Sequence, residues 1–312
     1  MTKFSAPSYS QEYVEKINAR CINLIKGRVW EGLRSNDLTT WLNNFSTQDE
    51  RYFSARVLDS IIYRSQPMIE SLSEQIVTFL LPDLLCNNNF NFSNDLKSWK
   101  KKITSQGDTL PVRFVAVEDS KTHNQGDNIE RLSAKSGQEI LRNFKKSMNI
   151  NSAYIIDAAE LTRYIDEIDV IVFLDDMLGT GDQFSKFIKR FNLENLIKEK
   201  NCYYLPHMGH KIGVDAINKE YPTITISPVE YLNEESNFFY SKSGSFRDDN
   251  ENSNESAYEF YKSLMKKKKV NVNNLKGYGD LGLTVAFRTS TPNNSLKLLY
   301  TTQGDWNPLF VR

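Results

Sequence analysis

Residues 170–183 constrain this chain more than any other segment. Val170-Ile171-Val172-Phe173-Leu174 is an unbroken apolar run, Asp175-Asp176 puts two carboxylates at its end, and Met177-Leu178 leads into Gly179-Thr180-Gly181, from which a helical stretch opens with Asp182-Gln183. An apolar run with no polar face reads as a strand covered on both sides, the habit of parallel sheets flanked by helices. In open sheets of that kind ligands sit beyond the carboxyl ends of the strands. The turn and first helical residues offer free backbone N–H groups to a phosphate. Gly179 and Gly181 permit close approach, and the Thr180 hydroxyl adds a donor. Asp175 and Asp176 have the chemistry to accept hydrogen bonds from vicinal sugar hydroxyls and to favour positive charge developing on a sugar ring. The competing reading is an acidic pair that merely ends a strand and caps a helix. The register of strand, acids, aliphatic pair, Thr-Gly and helix favours a sugar-phosphate site.

The surrounding sequence has matching grammar. Short apolar runs at 112–117, 169–174, 202–205 and 223–226 alternate with amphipathic stretches at 138–148, 182–191 and 214–220. That alternation predicts an α/β domain over residues 108–312, with a mostly parallel sheet flanked by helices. Leu281 to Phe287 and 296–301 read as two further strands joined through Pro292-Asn293-Asn294. The Ser/Asn/Asp-rich stretch 241–256 reads as an exposed loop, and Trp306 to Phe310 as a terminus tucked into the core.

Residues 1–107 read as a helical N-terminal region. Tyr13, Ile17, Cys21, Leu24 and Ile25 form one stripe at helical spacing, and Phe53, Val57, Ile61 and Ile62 a second. Thr47 stands three residues before Glu50, a capping box that starts the second helix. Ile69, Leu72, Ile76, Phe79 and Leu80 form a third stripe, begun after Pro67 and stopped by Pro82. Such stripes predict helices packed on their own core, with a partner-binding face as the alternative. Residues 86–108 are polar and Asn-rich and read as a linker. Lys100, Lys101 and Lys102 beside Trp99 are a weak signal for nucleic acid.

Lys plus Arg and Asp plus Glu balance at 39 each, so no whole-molecule field draws the chain to nucleic acid or an anionic membrane. Cys21, Cys86 and Cys202 are odd in number and far apart, which points away from a disulfide framework and towards a reducing cytoplasm. No apolar run approaches the roughly 18 residues of a membrane span, and the expectation is a soluble protein. His207-Met208-Gly209-His210 lacks neighbouring metal ligands and reads as a loop, so no protein-held metal is expected.

Residues 170–183 resemble the phosphoribosyl pyrophosphate (PRPP) binding motif of type I phosphoribosyltransferases, in which a hydrophobic strand runs into two acids, two aliphatic residues and a Thr-Gly loop. The resemblance departs at Gly179, where the family usually has Thr, Ser or Ala, and at Gln183, where it usually has Thr or Ser. It implies that Asp175 and Asp176 hold the ribose hydroxyls and that Leu178, Gly179, Thr180, Gly181, Asp182 and Gln183 wrap the 5-phosphate. It further implies a pyrophosphate loop after an earlier strand. Ser133-Ala134-Lys135-Ser136-Gly137 has that position, with a cation, hydroxyls and a glycine before a helix. Magnesium is expected to be carried mainly by the PRPP ligand. Together with the helical N-terminal region and the ending Thr291 to Phe310, these motifs resemble phosphoribosyltransferase-like proteins of bacterial conflict systems, some of them in antiviral defence loci. Three function classes stay open. One is transfer of a 5-phosphoribosyl group from PRPP to a base, nucleotide or nucleic-acid acceptor, a glycosyltransferase reaction. The others are a non-catalytic PRPP or nucleotide sensor and an interaction module that meets defence-system partners through the N-terminal helices.

Overall fold

A computed structural model of the chain describes residues 3–88, 95–105, 110–117, 135–241, 244–246 and 249–312. In chain order the helices are α1 (Ser10–Lys26), α2 (Ser35–Leu42), α3 (Gln48–Asp59), α4 (Gln66–Gln75), α5 (Leu81–Asn87), α6 (Leu96–Thr104), α7 (Lys135–Met148), α8 (Asp182–Arg190), α9 (Leu196–Glu199), α10 (Lys211–Glu220) and α11 (Asn254–Lys267). The strands are β1 (Ile62–Arg64), β2 (Val112–Ala116), β3 (Val170–Leu178), β4 (Asn201–His210), β5 (Ile224–Ile226), β6 (Glu230–Leu232) and β7 (Val285–Phe287). Two units emerge: Met1–Gln66 with Asn233–Arg312, and Pro67–Leu232. The boundary expected between residues 107 and 108 lies within the second unit, between α6 and β2.

In the first unit, Ile17, Cys21 and Ile25 of α1 share a core with Phe53 and Val57 of α3, so these stripes are taken up by the unit's own packing. Thr47 caps α3 as its sequence predicts: its hydroxyl accepts the Glu50 N–H at 3.2 Å, and the Glu50 carboxylate accepts the Thr47 N–H at 3.2 Å. β1 and β7 pair in parallel. Residues 296–301 form a 3₁₀ turn (Lys297–Leu299) instead of the expected strand. The reason lies at Leu298, whose backbone is claimed by side chains. Its carbonyl accepts the indole N–H groups of Trp41 and Trp306, and its N–H donates to the Tyr261 hydroxyl, leaving nothing for a ladder. The ending does tuck inward, with Trp306, Leu309 and Phe310 buried. Residues 241–256 are not simply an exposed loop. Phe246, Asp249 and Asn252 are buried, because Asp249 Oδ2 accepts the Tyr52 hydroxyl at 2.8 Å and Tyr52 in turn accepts two bonds from the buried Arg56 guanidinium.

The second unit begins with α4. A π-turn at Ile76–Leu80 joins it to α5, so Pro82 does not stop the helical run but sits in the first turn of α5. A proline there lacks only an N–H that would have had no partner in a helix start, and the wide turn spares its ring the preceding carbonyls. Residues 96–104 are a helix where a linker is expected. Asp95 caps it by accepting the Lys97 and Ser98 N–H groups, and Trp99 and Ile103 are buried. The Trp99 indole donates to the Val77 carbonyl at 2.8 Å, so this ring is not available to stack on a base.

The sheet is wholly parallel, in the order β2-β3-β4-β5, with β6 following β5 along the same edge of β4. Its two faces separate cleanly. Val170, Val172 and Leu174 pack with Phe114, Tyr203 and Leu205 under α5, α6 and α7. Ile171 and Phe173 pack with Val115, Cys202 and Tyr204 under α8, α9 and α10. β3 is therefore interior and apolar on both sides, as its sequence requires. Ile155 forms a parallel bridge with Phe114 on the edge of β2 away from β3. The chain thus leaves β2 through α7 on one face, touches the sheet edge at Ile155, and returns to β3 through Ala158–Glu167, whose Ala158 and Leu161 lie in the opposite face's core. The direction of connection reverses between β2 and β3, which is where open α/β sheets part to admit ligands.

Candidate functional site

At this reversal β2 and β3 end at different heights. The β2–β3 ladder closes at Ala116 and Leu174, with one further bond from the Val117 N–H to the Leu174 carbonyl at 2.9 Å. β3 continues to Leu178, held by β4 through the pairs Asp175↔Pro206, Met177↔Met208 and Leu178↔Gly209. The two acids therefore lie within the strand and not in the turn after it.

Asp175 faces α8. It is 2% exposed, its Oδ2 accepts the Tyr204 hydroxyl at 2.7 Å, and its Oδ1 accepts the Asp176 N–H at 2.9 Å. Burial, and next the negative charge of Asp176, push its carboxyl well above the usual carboxylate range. Tyr204 stacks on Phe184 of α8 with ring centroids 4.2 Å apart, so the acid is tied to the helix that follows the turn. Asp176 is half-buried, and its carboxylate lies beside that of Asp175. The structure thus gives the two acids different surroundings where the sequence reading gave them one shared task.

Gly179, Thr180 and Gly181 make the turn. Gly181 has φ 91° and caps α8 with no side-chain bond, so no side chain of the cap closes the first-turn amides. Asp182 and Gln183 are exposed in that turn, and the Asp182 carboxylate complements the positive end of the helix. The turn rests on α10. A Cβ on Gly213 would lie 2.4 Å from the Gly179 carbonyl oxygen, so glycine is needed for this approach. His210 caps α10 by accepting the Ile212 N–H on Nδ1 at 3.2 Å.

Lys135, Ser136 and Gly137 form the first turn of α7 instead of a loop. Ile140 and Phe144 of this helix pack against the same core as Val172 and Leu174. The side chains of Lys135, Ser136 and Gly137, and the residues Ser133 and Ala134, lie outside the described residues.

His207 and His210, expected in a loop, are buried on β4. His207 Nε2 lies 3.0 Å from the Ser73 hydroxyl of α4. Tyr204, His207 and Gly213 carry no motif that marks them. The only signal for the histidine was the segment 207–210, which lay close enough to an apolar run to be its continuation.

The model of the PRTase-CE family matches residues 38–312. The chain belongs to this family. PRTase-CE proteins are a phosphoribosyltransferase family associated with conflict systems, and the parallel sheet with its acid pair and Gly-Thr-Gly turn agrees with that membership. The match takes in the PRTase-CE sheet and the candidate site and begins after α1. No curated protein and no solved structure is matched by the chain. Among the described residues of this PRTase-CE member, no helix is long and apolar enough to cross a membrane.

Proposed function

We propose that this chain binds PRPP, or a related ribose 5-phosphate, at the carboxyl end of β3, and transfers the 5-phosphoribosyl group to a base, nucleotide or nucleic-acid acceptor as an effector of antiviral defence. One observation carries the reading. A half-buried carboxylate, a glycine turn and a helix N-terminus capped by glycine meet where the sheet's connections reverse, the place and the chemistry a sugar phosphate needs. The family's association with conflict systems supports the cellular role.

In this reading the amides of Gly179 to Gln183 and the Thr180 hydroxyl hold the 5-phosphate. Asp176 accepts from a ribose hydroxyl, and its negative charge favours the positive charge that grows on the ring as pyrophosphate departs. Asp175 sets the strand end through Tyr204. The first turn of α7, the helix packed on Val172 and Leu174 of β3, is the proposed pyrophosphate end.

Magnesium enters with the ligand. Among the described residues no three His, Cys, Asp or Glu side chains converge on one point. Asp176 beside the ligand's own oxygens is a donor set that fits this ion, which keeps its waters and takes few protein ligands. When bound it neutralises pyrophosphate charge.

Incubation of the whole chain with PRPP, magnesium and a panel of acceptor bases, nucleotides and nucleic acids tests the proposal. Pyrophosphate release together with a raised melting temperature is the expected result. Stabilisation without release reassigns the site to a non-catalytic sensor, and the absence of both rejects it.

A further inference from the structure

The first unit holds a cavity of about 790 Å³ between one face of α1, the chain at the end of α2 and one face of α3. That volume lies within the range of small-molecule sites. α1 precedes residue 38, where the family match begins, so one wall of the cavity lies outside that match. The two helices run side by side in the same direction. The Gln48 amide donates to the Ser10 hydroxyl at 2.9 Å near their starts, and Arg20 meets Asp59 at 2.6 Å further along. The α1 wall extends from Ser10 to Asn18, a rise of roughly 12 Å.

Three polar groups lining the cavity have bonding capacity to spare. Arg51 stands one turn after Gln48, towards the Ser10 end. It is exposed and takes part in no ion pair or side-chain hydrogen bond among the described residues. A guanidinium is suited to bidentate bonds with phosphate oxygens. Asn18 marks the opposite end. Its side-chain oxygen is buried without a partner, and such an atom in a native fold calls for an explanation. The terminal torsion of asparagine is soft, so the amide can turn its oxygen to a donor that enters the cavity. Between them on α1, Glu15 accepts one bond, from Gln11 Nε2 at 3.1 Å, and has lone pairs left for hydroxyl groups. Val14, Leu42 and Phe45 add apolar surface. The occupant that meets all of these has an N–H donor on an apolar body at one end, hydroxyls in the middle and an anion at the other end. A nucleotide carries an amine on its base, ribose hydroxyls and a phosphate in that order.

We infer that this cavity binds a nucleoside monophosphate whose base carries an exocyclic amine, with the amine on Asn18, the ribose on Glu15 and the phosphate on Arg51. The site is built from the first unit alone, so it stands or falls apart from the sugar-phosphate reading of β3. A site that bonds an amine rejects the analogue that lacks it, because its own polar atom is then left unpaired.

The test is calorimetric titration of the full chain with AMP, with adenosine, which lacks the phosphate, and with purine riboside monophosphate, which lacks the amine, for wild type, Arg51→Ala and Asn18→Leu. Wild type is expected to bind AMP about tenfold more tightly than either analogue. Arg51→Ala should lower AMP affinity by a similar factor and leave adenosine unchanged. Asn18→Leu should also lower AMP affinity about tenfold, leave purine riboside monophosphate unchanged, and melt no lower than wild type, since it deletes an unpaired buried oxygen. AMP titrated in the presence of PRPP and magnesium should bind as it does alone. No AMP binding to wild type overturns the inference, as does an AMP affinity untouched by Arg51→Ala or by a folded Asn18→Leu. AMP that PRPP displaces, with Arg51→Ala unaffected, belongs to the end of β3 and overturns it too. Arg51 is exposed, so its variant decides even if Asn18→Leu does not fold.

Discussion

The Tyr204 hydroxyl donates to Asp175 Oδ2 across 2.7 Å, beneath a ring stacked on Phe184. Asp175 is thereby buried on a partner of its own strand layer, so the consequences of losing its charge are expected to differ from those for the half-buried Asp176.

Asp175→Asn should stabilise the chain increasingly as pH rises. The folded carboxyl is held well above its ordinary value of 3.8, so the native state binds more protons than the unfolded one. Stability from that neutral form is fully present below about 3.8 and is lost as pH rises through the folded value. Asparagine keeps both contacts, its oxygen accepting the Asp176 N–H and its amide donating to the Tyr204 oxygen. Melting temperatures of wild type and variant between about pH 4 and about pH 8 should diverge in the variant's favour. PRPP affinity should change less than about threefold, a difference below 1 kcal/mol. A variant that melts lower at neutral pH, or loses PRPP, contradicts this role.

Gly213→Ala should weaken ligand binding from a distance. The added methyl would press on the Gly179 carbonyl, a backbone group that cannot rotate away. Alanine suits a helix better than glycine by up to about 1 kcal/mol, so any loss of stability measures the clash against that gain. We expect a net loss of about 1–3 kcal/mol and at least a tenfold fall in PRPP affinity by titration, since the displaced turn carries the amides proposed to hold the phosphate. An unchanged affinity would free the turn from its dependence on α10.

Tyr52→Phe should destabilise the first unit without touching the site. It removes the acceptor of two bonds from the buried Arg56 guanidinium and the donor to Asp249. Leaving a buried charge short of partners costs about 2–3 kcal/mol, read as a lower denaturant midpoint with the slope unchanged. Stability equal to wild type would mean that Arg56 finds its partners elsewhere.

Much of this was legible in the residues. Thr47 and Glu50 named their helix start, because a capping box is local chemistry. The interior position of β3 followed from Val170 to Leu174, because an apolar run has no other place in a sheet. Legibility failed where long-range partners decide the backbone. Leu298 leaves the strand pattern because Trp41, Trp306 and Tyr261 come from distant segments to bond it. Pro82 continues a helix because a π-turn precedes it, and Asp249 is buried because Tyr52 and Arg56 await it. The acid pair was found but its division was not. The apolar run stops at Leu174, whereas pairing with β4 carries the strand on to Leu178, so both acids lie inside it, Asp175 buried on the Tyr204 hydroxyl and Asp176 half-buried.

The most direct measurement is titration of PRPP with magnesium into wild type, Asp176→Asn and the Asp175→Asn, Asp176→Asn double variant, alongside their ligand-free melting temperatures. The account predicts binding to wild type, at least a tenfold loss in both variants, a charge-assisted bond being worth about 1.5–3 kcal/mol, and melting temperatures no lower than wild type. Equal affinity across the three proteins, or no binding to wild type, would contradict a sugar-phosphate site at the end of β3.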